Sequence, residues 1–205
     1  MYTPKRYQSD SDKESLDYIR KNSFGTLVGV LNEEIIASHI PLYLSEERKK
    51  NVLFGHISVQ NELKDCLDGS QSLMAIFMDT HSYISSSWYS HIDVPTWNYI
   101  AIHVYGRPRV LDEMELRRTL ADLVEKYESG RQPRFHISDM PEKMMDAQVK
   151  GIIGFELEIE RMEATYKLSQ NKKNVDIDTI INHLERQQDS HSKNTAKAML
   201  QRRKK

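Results

Sequence analysis

His39, His56 and His103 each stand near the middle of an apolar segment whose residues alternate as they do in a β-strand. Because successive side chains of a strand point to opposite faces, each histidine shares its face with aromatic or small residues. The opposite face of at least two of these segments is aliphatic. An apolar face with one polar group per strand is typical of a ligand pocket or an obligate interface. Three separate histidines that bond neighbouring backbone groups would give the same pattern, so both interpretations stay open.

The other residue types that carry chemistry do not show the spacing of a known catalytic or metal site. None of the eight histidines stands in an HExxH or HxH arrangement, and the single cysteine, Cys66, leaves no CxxC pair. A four-cysteine zinc site is therefore excluded, and a dedicated metal site is disfavoured. The sequence has no GxSxG, GxGxxG or GxxxxGK. A bound nucleotide would need its phosphate held by side chains and strand-end amides, and no catalytic residue is predicted.

Residues 83–99 form the densest aromatic segment of the chain, with two tryptophans and three tyrosines. Buried Trp and Tyr rings combine a large apolar area with a hydrogen-bonding tip, which is typical of dimer interfaces and of the surroundings of planar ligands. A well-packed long loop is the alternative interpretation of the same segment.

The composition narrows the class of protein. The chain has 205 residues, of which 8% are aromatic, and a net charge of -1, so one folded domain is expected rather than a disordered chain or a general polyanion binder. One cysteine cannot form an intramolecular disulfide, which fits a reducing compartment. The first residues hold no apolar run, and no stretch approaches the roughly 18 apolar residues that span a bilayer. The sequence thus predicts a cytoplasmic protein with no membrane association.

Positive charge is concentrated in residues 189–205, which we call the basic tail and which carry a net charge of +5. The basic residues are Lys193, Lys197, Arg202, Arg203, Lys204 and Lys205. The tail has too few apolar residues for a full apolar face, so a frayed helix or a disordered segment is expected. One interpretation is a solvated terminus, and the other is an electrostatic contact with nucleic-acid phosphates, such as those of DNA.

Apolar periodicity predicts the elements that must position these groups. Strands are expected over 24–31, 34–44, 51–59, 72–79, 82–87, 98–111 and 154–170, the last bent near Glu160. Helices are expected over 11–21, 61–67, 113–128, about 138–150 and about 176–187. Because the helices come late instead of alternating with the strands, the pattern favours an antiparallel barrel with peripheral helices over a doubly wound parallel sheet.

Five segments together resemble a known family. They are NSFGTLV (22–28), ASHIPLYL (37–44), YISSSWY (83–89), VPTWNYIAIHVYGRPRVL (94–111) and KGIIGFELEIERMEATYKLSQN (150–171). In this order they resemble the FMN-binding negative transcriptional regulators of the PaiB type, from Met1 to about Asn171. The resemblance implies an α+β fold: an antiparallel, FMN-binding split β-barrel, pyridoxamine-phosphate-oxidase-like, with peripheral helices. It also implies a flavoprotein homodimer with FMN at the subunit interface, and a repressor of protease production and sporulation genes.

The family pattern assigns flavin contacts to fifteen positions of this chain. They are Ser38, His39 and Pro41 on a flavin-side strand; Gly55, His56, Ser58 and Asn61 near the phosphate; Trp88, Tyr89, Trp97 and Asn98 in the dimer cleft; and Lys167, Ser169, Gln170 and Asn171 in the closing motif. Lys167 would supply positive charge to the phosphate or to the pyrimidine edge of the flavin. The implied organisation is a domain over 1–171 with a helical insertion at about 112–150, a helix over 172–188 and the basic tail.

The chain departs from the family pattern near the expected phosphate. Many members have Arg where Val59 stands, Asn-Pro where Asn61-Glu62 stands, and Gly-Pro where Asp79-Thr80 stands. An arginine there would contribute a charge-assisted bond of about 1.5–3 kcal/mol, so weak FMN binding, or purification without FMN, is one expectation.

Three functions remain open on the sequence. The first is the flavin-binding regulator, whose DNA contact, if direct, would use the basic tail. The second is an FMN-dependent oxidoreductase of small molecules, which rests on fold analogy alone. The third is a cofactor-free dimeric interaction module, and the strand histidines would also suit a haem.

Overall fold

The computed structural model describes residues 1–45 and 51–203, and this range contains ten β-strands and five α-helices. The strands are β1 (Phe24–Leu31), β2 (Glu34–Pro41), β3 (Tyr43–Leu44), β4 (Val52–Ser58), β5 (Leu73–Phe77), β6 (His81–Ile84), β7 (Thr96–Gly106), β8 (Pro108–Val110), β9 (Ile152–Glu158) and β10 (Arg161–Lys167). The helices are α1 (Asp12–Lys21), α2 (Glu113–Glu128), α3 (Glu142–Lys150), α4 (Asn174–Arg186) and α5 (Ser190–Arg203). Short 3₁₀ turns occupy Lys5–Tyr7, Glu62–Cys66, Ser86–Trp88 and Ile137–Asp139.

The strands belong to two sheets. One has the order β10-β7-β5-β1-β2, with β6 also paired to β7, and the other has the order β3-β4-β9-β8. The pairs β1–β2, β3–β4, β4–β9, β6–β7 and β8–β9 are antiparallel. Within the described residues, β2 ends its sheet order, so one of its backbone edges has no strand partner there.

Contacts divide the chain into two units that interleave in the sequence. The first unit contains residues 1–22, 76–103 and the described part of 162–205. Its core packs α4 and α5 against strand residues such as Ile84, Ile100 and Tyr166. Helix α1 begins as predicted, because the Glu14 N–H donates to the Ser11 hydroxyl at 3.2 Å and so caps the helix.

The second unit contains the described part of 23–75 and residues 104–161. Its β1–β2 hairpin turns at Asn32 and Glu33, which have φ of 51° and 68°. Helix α2 starts with the predicted capping box, in which Asp112 and Glu115 bond each other's backbone N–H at 2.8 and 3.1 Å.

Three predicted strands are interrupted. The segment 34–44 breaks at Leu42, whose N–H donates to the Ser23 carbonyl at 2.7 Å instead of continuing the ladder. The segment 98–111 breaks at Arg107, directly before Pro108, which has no N–H to donate. The segment 154–170 breaks between β9 and β10, which places the predicted bend near Glu160 correctly.

The basic tail contradicts the prediction of a frayed or disordered segment, because its residues Ser190–Arg203 form helix α5. Small side chains make this possible: Thr195 and Ala196 are fully buried, and Met199 joins the core of the first unit. The Ser192 N–H donates to the Asp189 carboxylate at 2.7 Å, which caps the helix start.

No helix in residues 1–45 and 51–203 combines the length and the apolar character that a membrane crossing requires.

Candidate functional site

Two residues predicted to contact a flavin meet in the second unit. The Asn61 side-chain amide donates to the Ser38 hydroxyl at 2.8 Å, so the loop after β4 is tied to β2. The other end of the same side chain accepts from the Leu63 N–H at 3.0 Å and starts the 3₁₀ turn Glu62–Cys66. These two hydrogen bonds of the Asn61 side chain hold the loop in place against Ser38.

Lys64, which was not among the predicted site residues, places a cation beside this loop. The Lys64 ammonium donates to the Val59 carbonyl at 3.2 Å. Ser58 directly precedes Val59, and the Ser58 hydroxyl accepts a hydrogen bond from the Gln60 N–H at 3.2 Å. Lys64 lies in the 3₁₀ turn that Asn61 caps, so a lysine in the first turn after a capping Asn is the sequence signal for it. Lys64 is exposed and places a positive charge at the backbone of Val59.

The β2 face that carries His39 is an exposed apolar face. His39 pairs across the hairpin with Thr26, whose hydroxyl lies 2.9 Å from the ring Nδ1. On the same face, Ile35 is 78% exposed and Phe24, which stands opposite Pro41, is 67% exposed. Ile35 and His39 thus share one exposed face of β2, as the alternation of residues predicts.

On β4, the face that carries His56 was predicted to be a pocket wall, and this prediction is wrong because its apolar residues are packed in a core. On the His56 face, Val52 and Phe54 pack under α2 and α3 against residues such as Leu116 and Met145. Burial lowers the pKa of the half-buried His56. Gly55, on the opposite face, serves packing: an added Cβ would lie 2.8 Å from the Phe155 ring.

Lys167 and Trp97 come together in the first unit. The Lys167 ammonium donates to the Trp97 carbonyl at 2.9 Å and also contacts the Thr96 hydroxyl. Burial, and then the charge of Lys172, lower the pKa of Lys167. The Trp97 ring is 53% exposed and meets Tyr83 edge-on at 5.9 Å. An exposed indole is suited to stacking on a planar ligand, and the Lys167 ammonium adds a positive charge at the backbone of the same strand end.

Asn98 and Ser169 are fully engaged with each other. The Asn98 amide nitrogen donates to the Ser169 hydroxyl at 2.9 Å, and this hydroxyl lies 3.1 Å from the Asn98 amide oxygen. Asn98 is completely buried and also reaches the Met199 sulfur at 3.4 Å. These contacts bind β7 to the closing motif and to α5.

The remaining closing-motif residues shape a turn. The Leu168 N–H donates to the Gln170 side-chain oxygen at 2.7 Å, and the Gln170 side-chain amide nitrogen donates to the Tyr166 carbonyl. The Asn171 side chain accepts from the Tyr7 hydroxyl at 3.3 Å. Gln170 and Asn171 thus hold the chain after β10.

Trp88 and Tyr89 pack against the end of the first unit that contains α4. Trp88 stacks on His183 with ring centroids 4.8 Å apart and planes 4° apart. The Lys172 ammonium lies 4.3 Å from the Tyr89 ring centre. The buried Tyr89 hydroxyl has no hydrogen-bond partner in the described part of the chain, and burial raises its pKa. Most buried hydroxyl groups in folded proteins have a hydrogen-bond partner.

His103, the third strand histidine, lies half-buried in the first unit, and burial lowers its pKa. Across residues 1–45 and 51–203, no three His, Cys, Asp or Glu side chains lie close enough together to hold a metal ion.

Two of the basic-tail residues hold α5 in place. Arg202 pairs with Asp10 at 2.7 Å and with Glu14 at 3.0 Å, and Arg203 pairs with Asp178. Lys193 and Lys197 are exposed. The last two predicted residues, Lys204 and Lys205, lie outside the described residues.

Comparison of the sequence with known proteins places the chain in a family. A family model described as "Putative FMN-binding domain" matches residues 1–161. The chain is also 34% identical over 199 residues to "Protease synthase and sporulation protein PAI 2" of Bacillus subtilis (strain 168), which covers 97% of this chain and 96% of that protein.

Comparison of the fold gives consistent results. The FAD and heme binding protein from Mycobacterium smegmatis superposes with a TM-score of 0.62 at 15% identity, covering 84% of this chain and 79% of the other. The flavocytochrome Anf3 from Azotobacter vinelandii gives 0.56 at 16% identity, covering 76% and 67%. With the sheet orders above, these likenesses confirm the predicted antiparallel split β-barrel with peripheral helices.

Proposed function

The chain belongs to the family of FMN-binding regulators of the PaiB type, and on that premise we propose that it is a cytoplasmic negative transcriptional regulator of protease production and sporulation genes. The observation that carries this proposal is the 34% identity to the B. subtilis protein, since it extends over 97% of this chain and 96% of that relative. We further propose that the regulator is a homodimer with a flavin site.

The second unit offers groups for the phosphate end of FMN. The Lys64 ammonium and the Ser58 hydroxyl flank Val59, so a cation and a hydroxyl stand at the stretch that the family assigns to the phosphate. Their chemistry fits a phosphate, because a lysine supplies a point charge and a hydroxyl supplies a hydrogen bond. Lys64 would thereby supply part of the positive charge that an arginine at position 59 would bring to the phosphate. Gly55 and Asn61 would position this stretch without touching the ligand.

The first unit offers groups for a planar ring. Trp97 presents an exposed indole, and the Lys167 ammonium bonds the Trp97 carbonyl. The orphaned Tyr89 hydroxyl gives this unit a buried polar atom in need of a partner. When bound, FMN supplies a redox-active ring that absorbs visible light and an anionic phosphate. The residues of this chain bind and orient it.

The exposed hairpin face supports the homodimer. Phe24, Val30 and Ile35 are between 48% and 78% exposed, and Val30 stands directly opposite Ile35. A cavity of about 410 Å³ adjoins Val30 and Ile35 in the second unit, where the Arg161 guanidinium lies 3.6 Å above the Tyr105 ring. Exposed apolar residues that share one face mark interfaces, and we propose that a second copy of the chain covers them.

DNA contact by the basic tail would depend on few groups. Arg202 and Arg203 are engaged in ion pairs, whereas Lys193 and Lys197 are exposed on α5. Each phosphate contact by a lysine adds to the salt dependence of binding. If the tail contacts DNA, replacing Lys193 and Lys197 together with Gln should weaken a gel shift and flatten its salt dependence.

The regulatory function is tested in a Bacillus subtilis strain that lacks its PAI 2 protein. Expression of this chain there should lower secreted protease activity. Unchanged protease activity at a verified expression level would contradict the proposed function.

The dimer is tested by Ile35→Glu, which places a charge on the exposed face. Gel filtration should show the wild-type chain at the mass of a dimer and the variant at the mass of a monomer. Val175→Glu is the matched control, because Val175 is 55% exposed on α4 in the first unit. A wild-type monomer, or an Ile35→Glu dimer as stable as the control, would refute this interface.

A further inference from the structure

A second cavity, of about 580 Å³, lies in the first unit between α1 and α5. Its volume falls within the range of small-molecule sites. None of the residues assigned to the flavin lines it, and α5 follows the end of the family match at residue 161. It is therefore separate from the proposed flavin contacts of this unit.

The floor of the cavity is apolar and firmly held. Ile100, Tyr166 and Leu168 line it and belong to the core of the first unit. The Tyr18 hydroxyl accepts from the backbone N–H groups of Asp79 and Thr80, each at 3.0 Å. Its ring meets the Tyr166 ring edge-on, with centroids 6.4 Å apart. A preformed apolar floor lowers the ordering cost of binding an apolar body.

The rim carries an excess of positive charge. The acids Glu14 and Asp17 are neutralised, since Glu14 pairs with Arg202 at 3.0 Å and Asp17 with Arg20 at 2.6 Å.

Three lysines also line the rim: Lys13 and Lys21 from α1 and Lys197 from α5. In the part of the chain that the structure describes, none of these three ammonium groups has an acidic partner, and all three are exposed. Asp79 is the one rim acid of that part without a basic partner. The rim thus favours an anion.

We propose that this cavity binds a small organic carboxylate with an aromatic or aliphatic body. The body would lie on Ile100, Tyr166 and Leu168, and the carboxylate would face the lysines of α1 and α5. Such a ligand contacts both helices at once. Because binding to the folded state alone stabilises it, the ligand should raise the melting temperature of the protein.

The test is calorimetric titration of the full-length protein with 2-naphthoate, compared with the neutral 2-naphthalenemethanol. Naphthoate should bind and the alcohol should bind several-fold more weakly. Lys21→Gln and Lys197→Gln should each raise the naphthoate Kd about threefold and together about tenfold, as expected for exposed charge pairs. Lys193→Gln is the matched control, since Lys193 is also exposed on α5 but does not line the cavity. Its Kd should equal that of the wild type.

Two further measurements locate the ligand. Ala198→Phe should abolish naphthoate binding, because Ala198 lines the cavity and a phenyl ring there fills it; circular dichroism checks that the variant is folded. Saturating FMN should leave the naphthoate Kd unchanged. Absence of naphthoate binding at millimolar concentration would overturn the proposal. So would equal binding of acid and alcohol, lysine variants that match the control, or displacement by FMN, which would make the cavity part of the flavin site.

Discussion

Replacing Ser169 tests whether the closing motif is held by its contacts with Asn98. In Ser169→Ala, the Asn98 amide loses a partner at 2.9 Å for its nitrogen and one at 3.1 Å for its oxygen. Asn98 is completely buried, so water does not replace the lost hydroxyl without rearrangement. Leaving a buried polar group unsatisfied costs about 1–3 kcal/mol. For a chain of this size, that cost lowers the melting temperature by about 2–12 °C.

A second variant at the same position separates the hydrogen bond from the backbone. Ser169 has φ of 64°, a left-handed conformation that favours glycine. Ser169→Gly loses the same hydroxyl but relieves backbone strain of about 1 kcal/mol. It should therefore be less destabilised than Ser169→Ala by about that amount.

Urea denaturation followed by circular dichroism measures both variants, with Ser86→Ala as the control, because Ser86 is exposed. The reasoning is refuted if Ser169→Ala is as stable as the control, or if the glycine variant is the less stable of the two.

Two more predictions concern packing and pH. Gly106→Ala should destabilise the fold by about 1–3 kcal/mol or prevent folding, because an added Cβ would lie 2.0 Å from the Glu158 carbonyl oxygen; Gly151→Ala, whose Cβ would have ordinary contacts, should be tolerated in the same urea assay. Burial lowers the pKa of His56, so the unfolded chain takes up this proton at a higher pH than the folded chain does. The free energy of unfolding should thus decrease as pH falls below about 6.5, and His56→Gln should flatten that dependence, as urea titrations at pH 7.5 and 5.5 would show.

Local signals predicted much of the secondary structure. Strand β1 and helix α2 have the predicted bounds, because an alternating apolar run and a capping box are written in adjacent residues. The prediction of a frayed or disordered basic tail was wrong for the opposite reason, because helix α5 has no clear local signal. The buried residues of α5 include Ser192, Thr195 and Ala196. These small side chains form a buried side of the helix only because they pack against the rest of the first unit. Such a face depends on tertiary contacts and leaves no clear period in the sequence.

The strand faces show the same limit. The faces that carry His39 and His56 look alike in sequence, yet one is exposed and the other lies beside residues covered by α2 and α3. Which face a distant helix covers is decided by long-range packing. Single histidines on apolar faces thus indicated a buried or paired surface without telling which.

The family pattern names candidate site residues, but it does not give their mutual contacts. The family pattern assigned Ser38, Asn61, Lys167 and Trp97 to separate parts of the flavin site, whereas the structure joins Asn61 to Ser38 and Lys167 to the Trp97 carbonyl. It did not identify Lys64, because that side chain reaches back to Val59 from a short turn. A position-by-position comparison sees the missing arginine but not a cation supplied by a neighbour.

The most direct measurement of the flavin site is a titration of the purified chain with FMN, followed by absorbance and gel filtration. We expect the flavin absorption bands to elute with the protein at the mass of a dimer. Lys64→Gln should weaken FMN binding about two- to fivefold, whereas Lys193→Gln should leave it unchanged. A chain that leaves excess FMN entirely in the unbound fractions would contradict the proposed flavin site, and equal FMN affinity in both lysine variants would contradict the role given to Lys64.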